Sequence, residues 1–205
     1  MPRPPVPLIS IDALVTAALE LVDEAGDFSL PKLARKIGVS QSSIYNHVSG
    51  REEILELMRG RIISESPYQL HEGQGWEESL RAIVRSYRDA FARHPRLAPL
   101  MVLQTVQDPQ VLALYENLAI ALEEAGFRGQ DVVSAISTID SFALGFALDL
   151  AAPQVVWAPP VDGYPALSGA LENAGPSAER GEAAFDFGLE ILMAGLRSRL
   201  KQALV

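Results

Sequence analysis

Hydrophobic positions recur at helical spacing along almost the whole chain, and strict apolar–polar alternation is nearly absent. Past a proline-rich start, Ile11, Leu14, Val15, Ala18 and Val22 form one apolar stripe that closes near Ala25-Gly26. Ser10 stands ahead of it as an N-cap, with Ile9 and Leu14 spaced as a hydrophobic staple. The pattern predicts a second helix over Leu30–Ile37, capped by Ser29, with Pro31 tolerated in its first turn. Gly38-Val39 breaks it, and Ser40 caps a third helix, Gln41–His47. Ser49-Gly50-Arg51-Glu52 has capping-box spacing and starts a fourth, running to about Ile63. Beyond the polar stretch Ser64–Gly75, Trp76–Arg93 is amphipathic through Leu80, Ile83, Val84, Tyr87 and Phe91. A short helix near Leu97–Thr105 and another over Gln110–Ala125, opened by Pro109, follow the break at His94-Pro95. Gln130–Ala151 is apolar on most sides, as in a helix buried between neighbours. Prolines and glycines over Ala152–Ala178 predict a long loop with room for one helical turn. The last helix, Glu179–Ala203, carries Phe185, Leu189, Leu192, Leu196 and Leu200 on one face and Phe187, Ile191 and Ala194 on another. Two apolar faces exceed what one subunit needs to cover. The fold class is all-α.

Composition narrows the chemistry. With 205 residues and 48% of them hydrophobic, a core forms without crosslinks, and the lack of any cysteine excludes disulfides, thiolate metal sites and cysteine nucleophiles. The first residues lack the long apolar segment of a secretory signal. No apolar run approaches the roughly 20 residues of a bilayer span. A soluble, cytoplasmic protein with no membrane partner is expected. The net charge of −9 argues against a nucleic-acid partner, but its distribution reverses the argument. Residues 1–63 hold seven bases against eight acids, and the remainder carries the acidic excess. Between Phe28 and Gly50 stand Lys32, Arg35 and Lys36 with no acid, the only locally basic window.

That window contains a motif. Leu33-Ala34-Arg35-Lys36-Ile37-Gly38-Val39-Ser40-Gln41-Ser42-Ser43-Ile44-Tyr45 has the internal logic of a helix-turn-helix. Two steeply crossing short helices need a small residue at their contact, Ala34, and a positive φ at the turn, which Gly38 supplies cheaply. Leu33, Ile37, Val39 and Ile44 are placed to fill the wedge. The second helix would then expose Gln41, Ser42, Ser43, Asn46 and His47, a polar set suited to base edges and phosphates. The same residues would also suit an ordinary inter-helix turn facing water, and the two readings stay open on spacing alone.

Phe28–Arg51 resembles the DNA-binding domain of the tetracycline-repressor family, through Leu33-Ala34, Gly38-Val39, Ile44-Tyr45, His47, Val48 and Arg51. Arg51 stands where that family usually has lysine, and Asn46 where an aromatic is common. The resemblance implies that Gln41 and Ser43 read bases and that Ser29, Tyr45, His47 and Arg51 hold phosphates, with Lys32, Ser40, Ser42 and Asn46 in the same surface. An arm bearing Arg3 could reach a neighbouring minor groove. The resemblance continues through Glu72-Gly73, Leu144-Gly145, Phe185-Asp186-Phe187-Gly188-Leu189-Glu190 and Gly195-Leu196. It implies a helix-turn-helix domain over 1–50, a connecting helix and linker over 51–75, and a ligand-binding and dimerisation domain over 76–205. The implied homodimer interface takes in Gly145, Phe187, Gly188, Ile191 and Gly195, and two reading heads imply a palindromic operator of double-stranded DNA. Laid on the family's metal–drug pocket, Met101 replaces the metal-binding histidine, Ile83 an asparagine and Leu118 a glutamine, while Tyr87 keeps the aromatic. The implied effector is therefore small, metal-free and fairly apolar, with Gln104, Ser137, Asp140 or Ser141 as polar fixtures. No cofactor is expected.

An enzyme is the first rival reading. No phosphate loop, nucleophile elbow, HExxH or paired-carboxylate motif is present. His71 and His94 sit apart from any acid cluster with metal-ligand spacing, and Asp140 and Asp149 are nine residues apart. The other readings are a ligand-responsive activator and a dimeric helical interaction protein with little specific DNA binding.

Overall fold

The computed structural model describes residues 9–153, 155–160, 163–174 and 177–203. Among them every regular element is helical: α1 Ile11–Ala25, α2 Leu30–Ile37, α3 Gln41–Ile44, α4 Arg51–Ser64, α5 Trp76–Ala90, a 3₁₀ turn Pro95–Leu97, α6 Ala98–Met101, α7 Pro109–Ala125, α8 Gln130–Asp149, α9 Pro165–Glu172 and α10 Ser177–Ala203. Two compact units emerge. The first holds the chain up to Gln69 together with Asp89–Asn117; the second holds Leu70–Arg88 and the chain from Leu118. Arg3 and its arm lie outside the described residues.

In the first unit the local signals act as expected for the opening helices. The Ser10 hydroxyl accepts the Ala13 amide, and Gly26, at φ 76°, ends α1 in the left-handed conformation. Leu14, Ala18, Val22, Leu33, Ile44, Ile54, Leu55 and Met58 make the core. The fourth helix starts differently from the expected box. Gly50 is its N-cap without a side-chain bond, and Glu53 rather than Glu52 reaches back to the Ser49 amide and hydroxyl, at 2.6 and 2.8 Å. The helix from Trp76 stops at Ala90, three residues early, and the expected 97–105 helix is only the 3₁₀ turn and the single-turn α6.

His94 gains one acidic neighbour through packing, while no cluster of His, Asp or Glu able to hold a metal forms among the described residues. Remote in sequence from any acid cluster, its Nδ1 lies 2.8 Å from Asp23 Oδ2, because the 3₁₀ turn packs on α1.

In the second unit α8 and α10 pack through Phe142, Phe146 and Phe185, whose ring centroids lie 4.9–5.5 Å apart. Gly188 permits that packing, because a Cβ there would stand 2.7 Å from the Phe142 ring. An antiparallel ladder joins α5 to α10: Glu77–Arg197 at 2.5 Å, Arg81–Glu190, Arg85–Asp186 at 2.8 Å and Arg88–Glu182 at 2.7 Å. The Arg81 pair holds the Glu190 carboxyl below its ordinary range. Arg88, almost fully buried, lies over the Phe185 ring at 4.4 Å. The predicted 152–178 loop carries a real helix, α9, none of whose residues is buried.

Helix α8 also departs from expectation. It is long and apolar enough, by length and composition, to cross a membrane, where no such run was expected, and only a third of it is buried. It is thus not covered all round: Val133 and Leu148 face outward.

Candidate nucleic-acid interface and effector residues

The first unit presents α3 on a buried frame. Leu33 and Ile44 are fully buried and Ala34 nearly so, while Ile37 and Val39 are half-buried. Gly38 takes φ 73°, and the Val39 amide donates to the Ala34 carbonyl at 2.9 Å, so the chain reverses within two residues of α2. Ser40 then caps α3 by accepting the Ser43 amide. The α-helical part is shorter than the predicted Gln41–His47 and ends at Ile44; a hydrogen-bonded turn continues it, with the His47 and Val48 amides donating to the Ile44 carbonyl.

The polar residues face outward unequally. Gln41, Ser42, Asn46 and His47 are exposed, and Tyr45 is 51% exposed. Ser43 is half-buried, and its hydroxyl shares a hydrogen bond of 2.7 Å with that of Ser40, which also meets Ser42 at 2.8 Å. Ser29 is the N-cap of α2 but makes no side-chain cap bond, leaving its hydroxyl unused by the helix.

The cations divide into two kinds. Lys36 is tied to Glu20 and Glu24 of α1 at 3.0 and 3.3 Å, and the Glu20 hydrogen bond raises its pKa. Arg51 pairs with Asp27 at 2.6 Å, donates to the Phe28 carbonyl and covers the Phe28 ring at 5.1 Å. Partial burial would raise the Asp27 carboxyl, yet the Arg51 hydrogen bond and the Phe28 amide hold it below its ordinary range. Lys32 and Arg35 are exposed and enter no ion pair among the described residues. Arg35, absent from the sequence-derived set, belongs beside Lys32 on this account. Its signal was the basic window, but only the positions of the α1 acids separate it from Lys36.

The expected effector residues fall into both units. In the second, Ile83 and Leu118 are fully buried and Tyr87 nearly so, with its hydroxyl donating to Asp140 at 2.9 Å. Ser137 and Ser141 are exposed. In the first, Met101 is buried and Gln104 half-buried. The Met101 thioether accepts from Arg59 Nε at 3.2 Å and its carbonyl from Nη2 at 2.9 Å. A soft thioether, already accepting from the Arg59 cation, is a poor ligand for a hard divalent ion, so this position does not fit such a metal.

Met101 is held by a network on α4. Arg59, 3% exposed, faces Glu56 Oε1 at 3.2 Å as an ion pair without an aligned hydrogen bond. Glu56 Oε2 accepts the Gln107 and Asp108 amides at 2.8 and 3.2 Å. Asp108 in turn caps α7 through the Gln110 amide, and its carboxyl lies so close to Gly60 that no Cβ would fit there.

Of the implied interface residues, Phe187 and Ile191 are 69% and 57% exposed. Around Gly145 and Gly195 a Cβ would meet nothing, whereas Gly188 is already occupied by the chain's own Phe142.

Residues 69–200 match the family model described as tetracyclin repressor-like, C-terminal domain. The chain is 31% identical over 149 residues, 71% of its length, to the HTH-type transcriptional repressor DrrR1 of Streptomyces coeruleorubidus, and spans about half, 55%, of that protein. It is 31% identical over 198 residues to the tetracycline repressor protein class D of Escherichia coli, covering 92% of this chain and 89% of that one. Apo ActR from Streptomyces coelicolor superposes with a TM-score of 0.79 at 23% identity, covering 97% of this chain and 99% of its own, a likeness of fold.

Proposed function

The chain belongs to the tetracycline-repressor family of transcriptional regulators, and from that premise we propose that it binds a palindromic operator as a homodimer and is released by a small, metal-free effector. The observation that carries the reading is the α3 surface: Gln41, Tyr45, Asn46 and His47 exposed on a frame whose Leu33 and Ile44 are fully buried. Gln41 reads a base edge, for which its paired donor and acceptor suit adenine. Tyr45, His47, Ser29 and Lys32 hold phosphates, joined by Arg35. Arg51 acts at one remove, holding the α1–α2 turn through Asp27 and Phe28. Ser40 and Ser42 shape the start of α3, with Ser43 at its half-buried edge.

Release is a population shift. Effector bound among the middle helices moves α4, the separation of the two reading heads changes, and only a ligand with different affinity for the two states can do this. The Glu56–Arg59 network supports α4 as the element moved, because it bonds that helix directly to the 101–108 segment. The membership favours repression over activation, and catalysis has no part in the proposal.

The test is a gel shift against a palindrome selected from random duplexes. Gln41→Ala and Tyr45→Ala should each weaken binding about tenfold or more, the range of a lost bidentate or charge-assisted contact, and affinity should fall steeply with salt. Undiminished binding by both variants overturns the assignment of this surface.

A further inference from the structure

The basic window of the linear sequence loses most of its charge in space. Between Phe28 and Gly50 stand Lys32, Arg35 and Lys36 with no acid. The fold brings two acids from α1 against them. Lys36 Nζ lies 3.0 Å from Glu20 Oε2 and 3.3 Å from Glu24 Oε1, so a window of three positive charges keeps a net charge of one. Glu20 and Glu24, four residues apart, share a face of α1. Among the described residues their carboxylates are the only polar partners of the Lys36 ammonium.

Helix stability does not call for these acids. The last two turns of α1 carry Glu20, Asp23 and Glu24, and its last turn holds no base. A carboxylate is disfavoured at a helix C-terminus, where the backbone dipole is negative, and two of them at i, i+4 repel each other. Neutral side chains at positions 20 and 24 would serve α1 at least as well. Lys36 relieves the repulsion, but the two acids are 54% and 65% exposed, and ion pairs so placed contribute little to stability. The arrangement matters more for charge than for folding.

We propose that Glu20 and Glu24 withhold Lys36 from the phosphate backbone of DNA and so limit the sequence-independent part of duplex affinity. The inference rests on the operator-binding reading and extends it to residues that read no base. Lys36 stands four residues from Lys32 on the same face of α2, about 6 Å further along the helix axis, so once freed it joins Lys32 on the phosphates. The restraint is one of charge rather than of bond strength. A lysine swings readily away from exposed partners, but both carboxylates stay beside it, and the three groups together present a net negative charge to the phosphates.

The test is fluorescence anisotropy of the full-length protein with a labelled duplex of scrambled sequence, over a series of salt concentrations. Each phosphate neutralised by a cation adds about 0.9 to the slope of log K against log salt. Glu20→Gln combined with Glu24→Gln should steepen the slope by about that amount and tighten binding roughly fivefold to tenfold at low salt. Adding Lys36→Gln should remove most of the gain. In the wild-type background Lys32→Gln should make the slope shallower by about 0.9, and Lys36→Gln should change it by less than half as much. An unchanged slope for the acid variant overturns the proposal. So does a gain that largely survives Lys36→Gln, which would make the acids a diffuse repulsion. Should the acid variant fail to fold by circular dichroism, Lys36→Gln alone decides: a loss of slope equal to that of Lys32→Gln shows that Lys36 already meets DNA. A wild type that ignores every duplex overturns the operator reading as well, so its own binding tells the two failures apart.

Discussion

Gly188 and Gly195, seven residues apart on one helix, make opposite demands on a side chain. At Gly188 an added methyl would lie 2.7 Å from Phe142 Cε2, and the ring cannot yield without disturbing Phe146 and Phe185. Overpacking of this kind costs typically 1–3 kcal/mol, against a gain of about 1 kcal/mol for alanine over glycine in a helix. Gly188→Ala should therefore lower the urea midpoint. Gly195→Ala meets nothing within the chain, and at protein concentrations low enough to leave the chain monomeric it should raise or hold the midpoint. A second residue-scale test concerns Glu53, whose carboxyl is held below its ordinary value by the Ser49 amide and then by the Ser49 hydroxyl. A depressed carboxylate contributes stability that is complete above its unfolded pKa and disappears as pH falls through the lower folded value. Urea midpoints of wild type should thus decline on acidification below about pH 4.5, the unfolded reference, and Glu53→Gln should show a shallower decline. Both side chains escaped linear reading for the same reason: a capping box one residue out of register, and a glycine whose neighbour comes from another helix.

At the scale of elements, α4 is legible as a helix but not as a hub. Its sequence gives only alternating charge and apolar positions; that Arg59 is buried follows from where α6 lies, 42 residues on. Arg59→Met leaves Glu56 half-buried without its cation and the Met101 carbonyl with the Gln104 amide as its remaining donor. Removing one partner of a buried pair costs about 3–5 kcal/mol. Because Glu56 keeps two amide donors, a loss near 3 kcal/mol is expected in equilibrium denaturation, with Glu56→Gln milder. Helix α3 shows the converse. Its cap, its turn and its exposed face all follow from local signals, whereas its length was overestimated. After Ile44 the amides of His47 and Val48 share one carbonyl, and the chain tightens into a turn that sequence periodicity cannot distinguish from helix.

For the whole molecule the decisive surface is the outer face of α8 and α10. Phe187 and Ile191 remain exposed on α10, and a Cβ at Gly145 or Gly195 would meet nothing within the chain. Large apolar side chains so exposed suit an interaction surface, and the proposed homodimer covers them. Ile191→Glu combined with Phe187→Glu should yield monomers in sedimentation equilibrium. The chain should keep its helical content, since neither side chain is in the core, and should lose palindrome binding while retaining weak, salt-sensitive affinity for any duplex.

What the linear order of residues determined is everything governed by neighbours within a few positions. That covers the helices with their caps at Ser10 and Ser40, the left-handed turn at Gly38, and the polar, outward-facing set from Gln41 to His47. Helix capping, turn chemistry and amphipathic stripes act over one or two turns, so the chain carries them in plain order. What only the folded chain decided is who meets whom across 12 to 120 residues. Arg51 is held by Asp27, Lys36 by α1, Met101 by Arg59 and His94 by Asp23. Charge pairing and burial depend on distance in space, and distance in space is set by packing, which no local pattern encodes.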